Sequence, residues 1–325
     1  MGRTDARWAL LAAAALPAAP ALAQAPAAPA PAPAPVQTQM TLTLERVGGI
    51  RSTVLTGSHV RVRGTVGAYV PNETVTVRIS SSGHKVLAKH VAIEPDPSGS
   101  GGFELSYRAT RIGRLVVRAA HDPTPVLGAL AATGRSVDVL PRRVGRRSGR
   151  SAVRALQRRL RGLGYVVGAP GAYDARTARA VLAFRKVTRM VRRSEASSSV
   201  MRAIARGAGG FEIRRPEHGR HVEADLSRQV IALVANGGVQ RIYPVSSGKP
   251  STPTVVGSFQ VYLKTPGTNA KGMVNSAYFF GAYATHGYPS VPAFPASHGC
   301  LRVPISDARS LFRWIRVGTP VDVYR

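Results

Sequence analysis

The sequence predicts a multidomain, mainly β fold: an N-terminal β-sandwich, a small three-helix module, and a C-terminal β-rich domain. Three observations carry this. Apolar and polar residues alternate with period two through Glu73-Thr74-Val75-Thr76-Val77-Arg78-Ile79, the signature of a half-buried strand. Val153, Leu156, Leu160 and Leu163 recur at spacings of 3, 4 and 3, the stripe of an amphipathic helix. Beyond Glu217, β-prone runs flank Asn236-Gly237, a strong signal for a two-residue hairpin turn. A chain of 325 residues has room for two or three such units.

Composition narrows the setting. The chain carries 45 Lys+Arg against 16 Asp+Glu, a net charge of +29, and one cysteine. That charge calls for anionic surroundings such as nucleic acid, a membrane or an anionic polymer. One cysteine excludes an intramolecular disulfide framework and a Cys-rich zinc site. The hydrophobic content of 44% is that of a folded chain.

At the N-terminus, Arg3 and Arg7 precede the short apolar run Trp8–Leu16, and Ala21-Leu22-Ala23 offers a small-x-small cleavage site before Gln24. This is the pattern of a secretory signal peptide over residues 1–23. Within the linker, residues 24–36, Ala25 to Pro35 alternates Ala and Pro, which favours an extended polyproline spacer over a helix. An exported protein is expected, without a transmembrane domain after signal cleavage. Export also weakens the nucleic-acid reading of the charge.

Residues 37–141 are expected to form the β-sandwich, of the immunoglobulin-like kind. The Glu73–Ile79 strand turns at Ser81-Ser82-Gly83 and returns over Lys85–Ala92; Phe103–Tyr107, Leu115–Ala119 and Ser136–Leu140 are further strands. Short strands between Gly, Pro and Ser breaks make a sandwich of about a hundred residues. His59, His84, His90 and His121 lack ligand spacing and read as surface or turn histidines.

Residues 142–212 are expected to form the helical module. Arg142 to Arg215 holds 20 basic and 3 acidic residues, so most of the net charge is here. Ser151 is the expected N-cap of the first helix, with Gly162 and Gly164 ending it. Asp174 is expected to cap a second helix through Val187. A third runs from about Ser197 to Arg206 and stops at Gly207. The segments Leu156-Gln157…Leu160…Leu163-Gly164-Tyr165, Gly171-Ala172-Tyr173-Asp174 and Thr177-Ala178…Val181-Leu182-Ala183-Phe184 resemble the three-helix peptidoglycan-binding domain type 1. Arg185 stands where that family usually has Gln.

In residues 217–325, Gln229–Ala235 and Val239–Val245 read as a hairpin. Gly257–Leu263 and Tyr278–Thr285 read as strands, and Pro320–Tyr324 as an edge strand. The chemistry concentrates in Thr285-His286-Gly287 and Ser297-His298-Gly299-Cys300-Leu301-Arg302. A thiolate is a nucleophile, yet an ordinary thiol with pKa about 8.5 is only slightly ionised near neutrality. An imidazole can take its proton and return it to a leaving amine. Glycine lets backbone amides approach an oxyanion. These are the components of acyl transfer on an amide. From the residues alone, His286 and His298 compete for the role of base.

The pattern His-Gly … Ser-His-Gly-Cys-Leu-Arg resembles the YkuD-type L,D-transpeptidase catalytic domain. So do Val222–Val230, Tyr243–Thr254, Gly257-Ser258-Phe259, Asp307-Ala308…Leu311 and Val317–Val321. The resemblance implies Cys300 as nucleophile and His286 as base, oriented by the backbone carbonyl of Gly287. It implies amides of His298, Gly299 and Cys300 as the oxyanion hole, with Ser297 and His298 shaping the site. Arg302 is expected to bind a substrate carboxylate or pin the loop. Tyr278, Phe280 and Tyr288 are candidate walls of the substrate cleft.

The implied reaction releases D-Ala from a stem tetrapeptide through a Cys thioester. It then forms a 3→3 peptidoglycan cross-link, a step in cell wall biogenesis and the maintenance of cell shape. With water as acceptor, the same site is an L,D-carboxypeptidase. The rivals are a non-catalytic cell-wall binding protein and a cysteine protease. Expected partners are peptidoglycan stem peptides and glycan, anionic wall polymers and carbapenems, with no nucleic acid. No cofactor and no metal is expected, since the histidines lack a His-x-x-x-His helix. Ser246-Ser247-Gly248-Lys249 matches Ser-x-x-Lys. That motif needs a helix start, and the Gly-Lys-Pro context predicts a strand-to-loop passage instead.

Overall fold

Alternation in the N-terminal third resolves into ten strands, seen in a computed structural model that describes residues 33–46, 53–134 and 136–325. The expected signal peptide and most of the Ala/Pro spacer lie outside the described residues. Contacts group Pro35–Arg325 into one compact unit. Among the described residues, no helix is long and apolar enough to cross a membrane.

The strands are β1 (Met40–Arg46), β2 (Thr53–Leu55), β3 (His59–Val66), β4 (Thr74–Ser81), β5 (His84–Ala92), β6 (Glu94–Pro95), β7 (Gly101–Arg108), β8 (Gly113–His121), β9 (Leu130–Thr133) and β10 (Val137–Leu140). They form two sheets, ordered β1-β3-β7-β6 and β2-β10-β8-β4-β5, with β9 also paired to β8. Val60, Val62 and Phe103 of the first sheet meet Val75, Val77 and Val117 of the second in one buried core. This is a face-to-face sandwich. The β4–β5 hairpin turns at the expected Ser82-Gly83. His59, His84 and His90 are exposed, but His121 is not a surface residue. It is buried at the end of β8, where Nε2 meets Glu73 Oε2 at 2.8 Å and Nδ1 donates to the Gly128 carbonyl at 3.0 Å. A strand end tucked under a long loop offers a polar ring the partners that its burial requires.

The helices are α1 (Arg150–Gly162), α2 (Ala175–Val187) and α3 (Ser198–Ala205). Asp174 caps α2, accepting from the Thr177 amide at 2.8 Å. Ser151 does not cap α1; the N-cap is Gly149, without a side-chain bond. Ser148 Oγ instead accepts from the Gly145 amide at 3.0 Å, and the turn it closes starts the helix earlier. Gly164 and Gly207, past α1 and α3, have φ of 91° and 81°, the left-handed conformation of a helix C-terminus.

The C-terminal part contains β11 (His221–Asp225), β12 (Val230–Ala235), β13 (Gly238–Pro244), β14 (Gly257–Gln260), β15 (Leu263–Thr268), β16 (Val274–Phe280), β17 (Tyr283–Tyr288), β18 (Leu301–Pro304), α4 (Ile305–Trp314) and β19 (Pro320–Tyr324). One sheet runs β13-β12-β11-β19-β14 and the other β15-β16-β17-β18. Asn236 and Gly237 have φ of 52° and 69°, as a two-residue hairpin turn of the primed type requires.

Every residue of β12 is buried. Ile231 and Leu233 enter the core beneath α4, while Val230, Ala232 and Val234 pack against the three helices. A strand covered on both faces reads as an unbroken apolar run. The helical module thus shares its core with the outer face of the five-stranded sheet.

Three strand segments differ from expectation. Gly257–Leu263 is two strands in different sheets. Val261 breaks the ladder by bonding the loop before β19, its amide donating to the Thr319 carbonyl and its carbonyl accepting from the Gly318 amide. Tyr278–Thr285 spans the turn between β16 and β17, at Gly281-Ala282. Pro320–Tyr324 is no edge strand, since β19 lies between β11 and β14.

Candidate active site

Strands β17 and β18 pair in parallel, with His286 level with Arg302 and Gly287 with Val303. Alternation sends successive side chains to opposite faces. Gly287 faces α4, and a Cβ there would stand 2.6 Å from the Ala308 Cβ. Glycine is thus needed for the helix to lie so close. His286 points to the other face, which Tyr288 shares, and the Tyr288 ring meets the imidazole edge-on at 5.7 Å.

His286 is buried, and its Nδ1 lies 2.9 Å from the Gly287 carbonyl. A carbonyl only accepts, so Nδ1 carries the proton and Nε2 presents a lone pair. Burial lowers the imidazole pKa from its ordinary value; the Gly287 carbonyl opposes this and the Arg302 charge adds to it.

The loop that carries Cys300 is tied from within. Ser297 is fully buried. Its Oγ donates to the Cys300 carbonyl at 2.6 Å and accepts from the Gly299 amide at 3.1 Å. Gly299 has φ of 115°, and a Cβ there would come within 2.4 Å of the Tyr283 ring. Both the backbone conformation and the close approach require glycine.

Cys300 Sγ donates to the Ala282 carbonyl at 3.5 Å. The thiol therefore sits beside the start of β17. Burial pushes its pKa up, opposed by the Ala284 amide and the charges of Arg302 and Lys271. Both shifts favour uncharged forms.

The other expected residues divide. His298 is exposed, whereas His286 is buried and oriented. Arg302 stacks over Tyr288 at 4.1 Å and donates to the Ala296 carbonyl at 3.4 Å. It is thereby fixed to the loop that carries Cys300. Tyr278 pairs across the ladder with Ala284, and Asn269 Nδ2 donates to its hydroxyl at 3.3 Å. Phe280 stacks on Phe259 at 5.1 Å and lies 6.1 Å from Tyr283. It is half exposed at the end of β16.

Several supporting residues lie outside the sequence expectation. The Ser247 carbonyl accepts from the amides of Ala296 and Ser297, both at 2.9 Å. Gln229 holds Ser247 by two bonds, Nε2 to Oγ at 2.6 Å and Oε1 from the amide at 3.0 Å. Thr254 Oγ donates to the Gly299 carbonyl at 2.6 Å. Ser246–Gly248 is extended, bridging Arg302 and Ser297, so Ser246 and Lys249 share no helix face. Gln229, Ser247 and Thr254 all lie in segments that resemble the family, Val222–Val230 and Tyr243–Thr254, but nothing in the sequence assigns them this supporting role.

Two family models match the chain. The L,D-transpeptidase catalytic domain family, YkuD, matches residues 219–323, and a peptidoglycan binding domain matches residues 149–190. A crystal structure of residues 123–326 of the L,D-transpeptidase from Xylanimonas cellulosilytica is 34% identical. It covers 56% of this chain and 97% of that one, with a TM-score of 0.52. L,D-transpeptidase 1 of Mycobacterium tuberculosis is 29% identical over 126 residues, 31% of this chain and 48% of the relative. The chain thus spans about half the length of the curated relatives it matches. The catalytic domain of the E. faecium L,D-transpeptidase acylated by ertapenem is 28% identical, covering 33% of this chain and 97% of that one, at a TM-score of 0.29.

Proposed function

Because this chain belongs to the YkuD family of L,D-transpeptidases, we propose that it cross-links peptidoglycan stems through a thioester on Cys300. The observation that carries this reading is the oriented imidazole. With Nδ1 bonded to the Gly287 carbonyl, only Nε2 of His286 is free to accept a proton.

As Sγ attacks the carbonyl of the third stem residue, the Cys300 proton passes to His286 Nε2. The tetrahedral oxyanion takes bonds from backbone amides. Gly299 N–H is engaged by Ser297, so His298 and Cys300 are the amides proposed for that role. Collapse breaks the amide bond, and the imidazolium gives its proton to the departing D-Ala amine. The side-chain amine of an acceptor stem then attacks the thioester, yielding a 3→3 cross-link and restoring the thiol. Water in the acceptor's place gives L,D-carboxypeptidase activity.

The proposed organisation keeps the boundaries of a signal peptide, a spacer, a sandwich, a basic glycan-binding module and the catalytic domain. Export to the wall and retention there by the arginine-rich module belong to the same reading. So does acylation of Cys300 by carbapenems, whose strained amide offers the same kind of carbonyl. Two exposed residues, Arg189 and Arg193 beside α2, exemplify the charge available to an anionic wall.

The test is product analysis after incubation with disaccharide-tetrapeptides. Dimers identify the transpeptidase, and free D-Ala with tripeptide identifies the carboxypeptidase. Neither product from the wild type sinks both readings and leaves the wall-binding one.

A further inference from the structure

The thiol chemistry uses one face of the β17 sheet; the helix on its other face borders a second concavity. Arg220, Arg241, Arg309 and Arg313, with Ser306, Ser310 and Trp314, line a cavity of about 520 Å³. Four of the seven lining residues are arginine and none is acidic. The nearest carboxylate on the helix, Asp307, is buried and already held by Arg176 at 2.8 Å and Arg179 at 3.6 Å. It does not neutralise the cavity.

Two of the arginines are held in place. Arg220 Nη2 donates to the Trp314 carbonyl at 2.6 Å, and its guanidinium stacks over the indole at 3.8 Å. Arg241 Nη1 donates to the Ser310 carbonyl at 3.3 Å. Ser310 Oγ is itself fixed by the Tyr243 hydroxyl at 2.8 Å. Like charges gathered without a counter-charge repel one another, and a bound anion relieves that repulsion. Burial, then the charges of Arg316 and Arg241, lower the Arg220 pKa.

We propose that this cavity binds an anionic ligand of the phosphate-ester class, at a site separate from the thiol. Guanidinium forks match the oxygens of a phosphate bidentately. Four of them around one cavity favour a multiply charged group over a single carboxylate. Trp314 supplies an apolar wall for the carbon part of an ester. The volume lies within the range of small-molecule sites.

The sequence contains two tryptophans, Trp8 and Trp314. In the full chain carrying Trp8→Phe, emission therefore reports on the cavity wall alone. Inorganic pyrophosphate is titrated at low salt, followed by this emission and by calorimetry, with citrate as a carboxylate control. The expected result is saturable binding, weakened at least about tenfold by Arg309→Ser with Arg313→Ser, which is roughly 1.4 kcal/mol. Both residues are exposed, so the double variant is expected to keep the wild-type melting curve. Three results overturn the proposal: saturation in neither signal, an unchanged Kd in the double variant, or citrate binding as tightly as pyrophosphate.

Discussion

Lys186 on α2 donates from Nζ to the Gln229 carbonyl at 3.0 Å, and also to the Val245 carbonyl at 2.9 Å. These carbonyls stand at the ends of β12 and β13, next to the Gln229–Ser247 pair that holds the Cys300 loop. A residue of the helical module therefore supports the frame behind the thiol. Replacing Lys186 with Met removes both bonds; the Gln229 carbonyl keeps the Val245 amide at 3.0 Å, so the loss falls mainly on the Val245 carbonyl, at about 1–3 kcal/mol.

The same lysine gives a pH signature. Burial, with the Arg192 charge adding to it, pushes its pKa down from 10.5 to about 7. Between those values the unfolded chain holds a proton that the folded chain has released. Folding stability therefore rises with pH across that window. Urea unfolding of wild type and Lys186→Met at pH values near 6 and 9.5 is expected to show the wild type gaining on the variant. An equal difference at both pH values would refute the shift.

Ser297 closes the Cys300 loop with two bonds that alanine cannot make. Ser297→Ala is expected to keep the fold and lose roughly 100-fold in turnover, the scale of an ångström of misplacement. Steady-state assay beside a melting curve separates this from unfolding.

Gly299→Ala meets two obstacles, a positive φ and the Tyr283 ring at 2.4 Å. The strained backbone alone costs about 1–3 kcal/mol. Adding Tyr283→Ala removes the clash and leaves the φ cost. Partial recovery of stability in the double variant is the expected outcome; full recovery or none contradicts the dissection.

The directions of the Cys300 and His286 shifts predict a particular alkylation profile. The thiol pKa is raised from 9.0 and the imidazole lowered from 6.5. Iodoacetamide should label Cys300 ever faster as pH rises past 9, with no plateau near neutrality. Because Arg302 lowers both pKa values, Arg302→Gln should move the thiol midpoint further up. A flat rate from pH 6.5 to 8 would indicate a preformed thiolate–imidazolium pair instead.

Much of this was legible in the sequence because local rules and tertiary demands agree. Asp174 before α2 is a cap in both. Asn236-Gly237 is a turn in both, and the Gln229–Ala235 run is strand because it is covered twice. The failures occur where a distant element decides. Val261 leaves its sheet because the loop before β19 takes its backbone bonds. β19 becomes central because β14 returns from far along the chain to pair with it. His121 is buried because Glu73, 48 residues away, meets it.

The site divides in the same way. Cys300, His286 and the Gly287 carbonyl follow from a compact motif. Gln229, Ser247 and Thr254 reach the loop from over 40 residues away; the family resemblance covers their segments but not their bonds to the loop. Lys186 was still less visible, since its partners are backbone carbonyls of another module.

The most direct test of the central claim is intact-mass analysis of the full chain with a disaccharide-tetrapeptide donor and no acceptor stem. The account predicts an adduct of the donor minus D-Ala, mapped to the Cys300 peptide, with one D-Ala released per adduct and none from Cys300→Ala. An adduct on another residue, or D-Ala release that persists in Cys300→Ala, would contradict it.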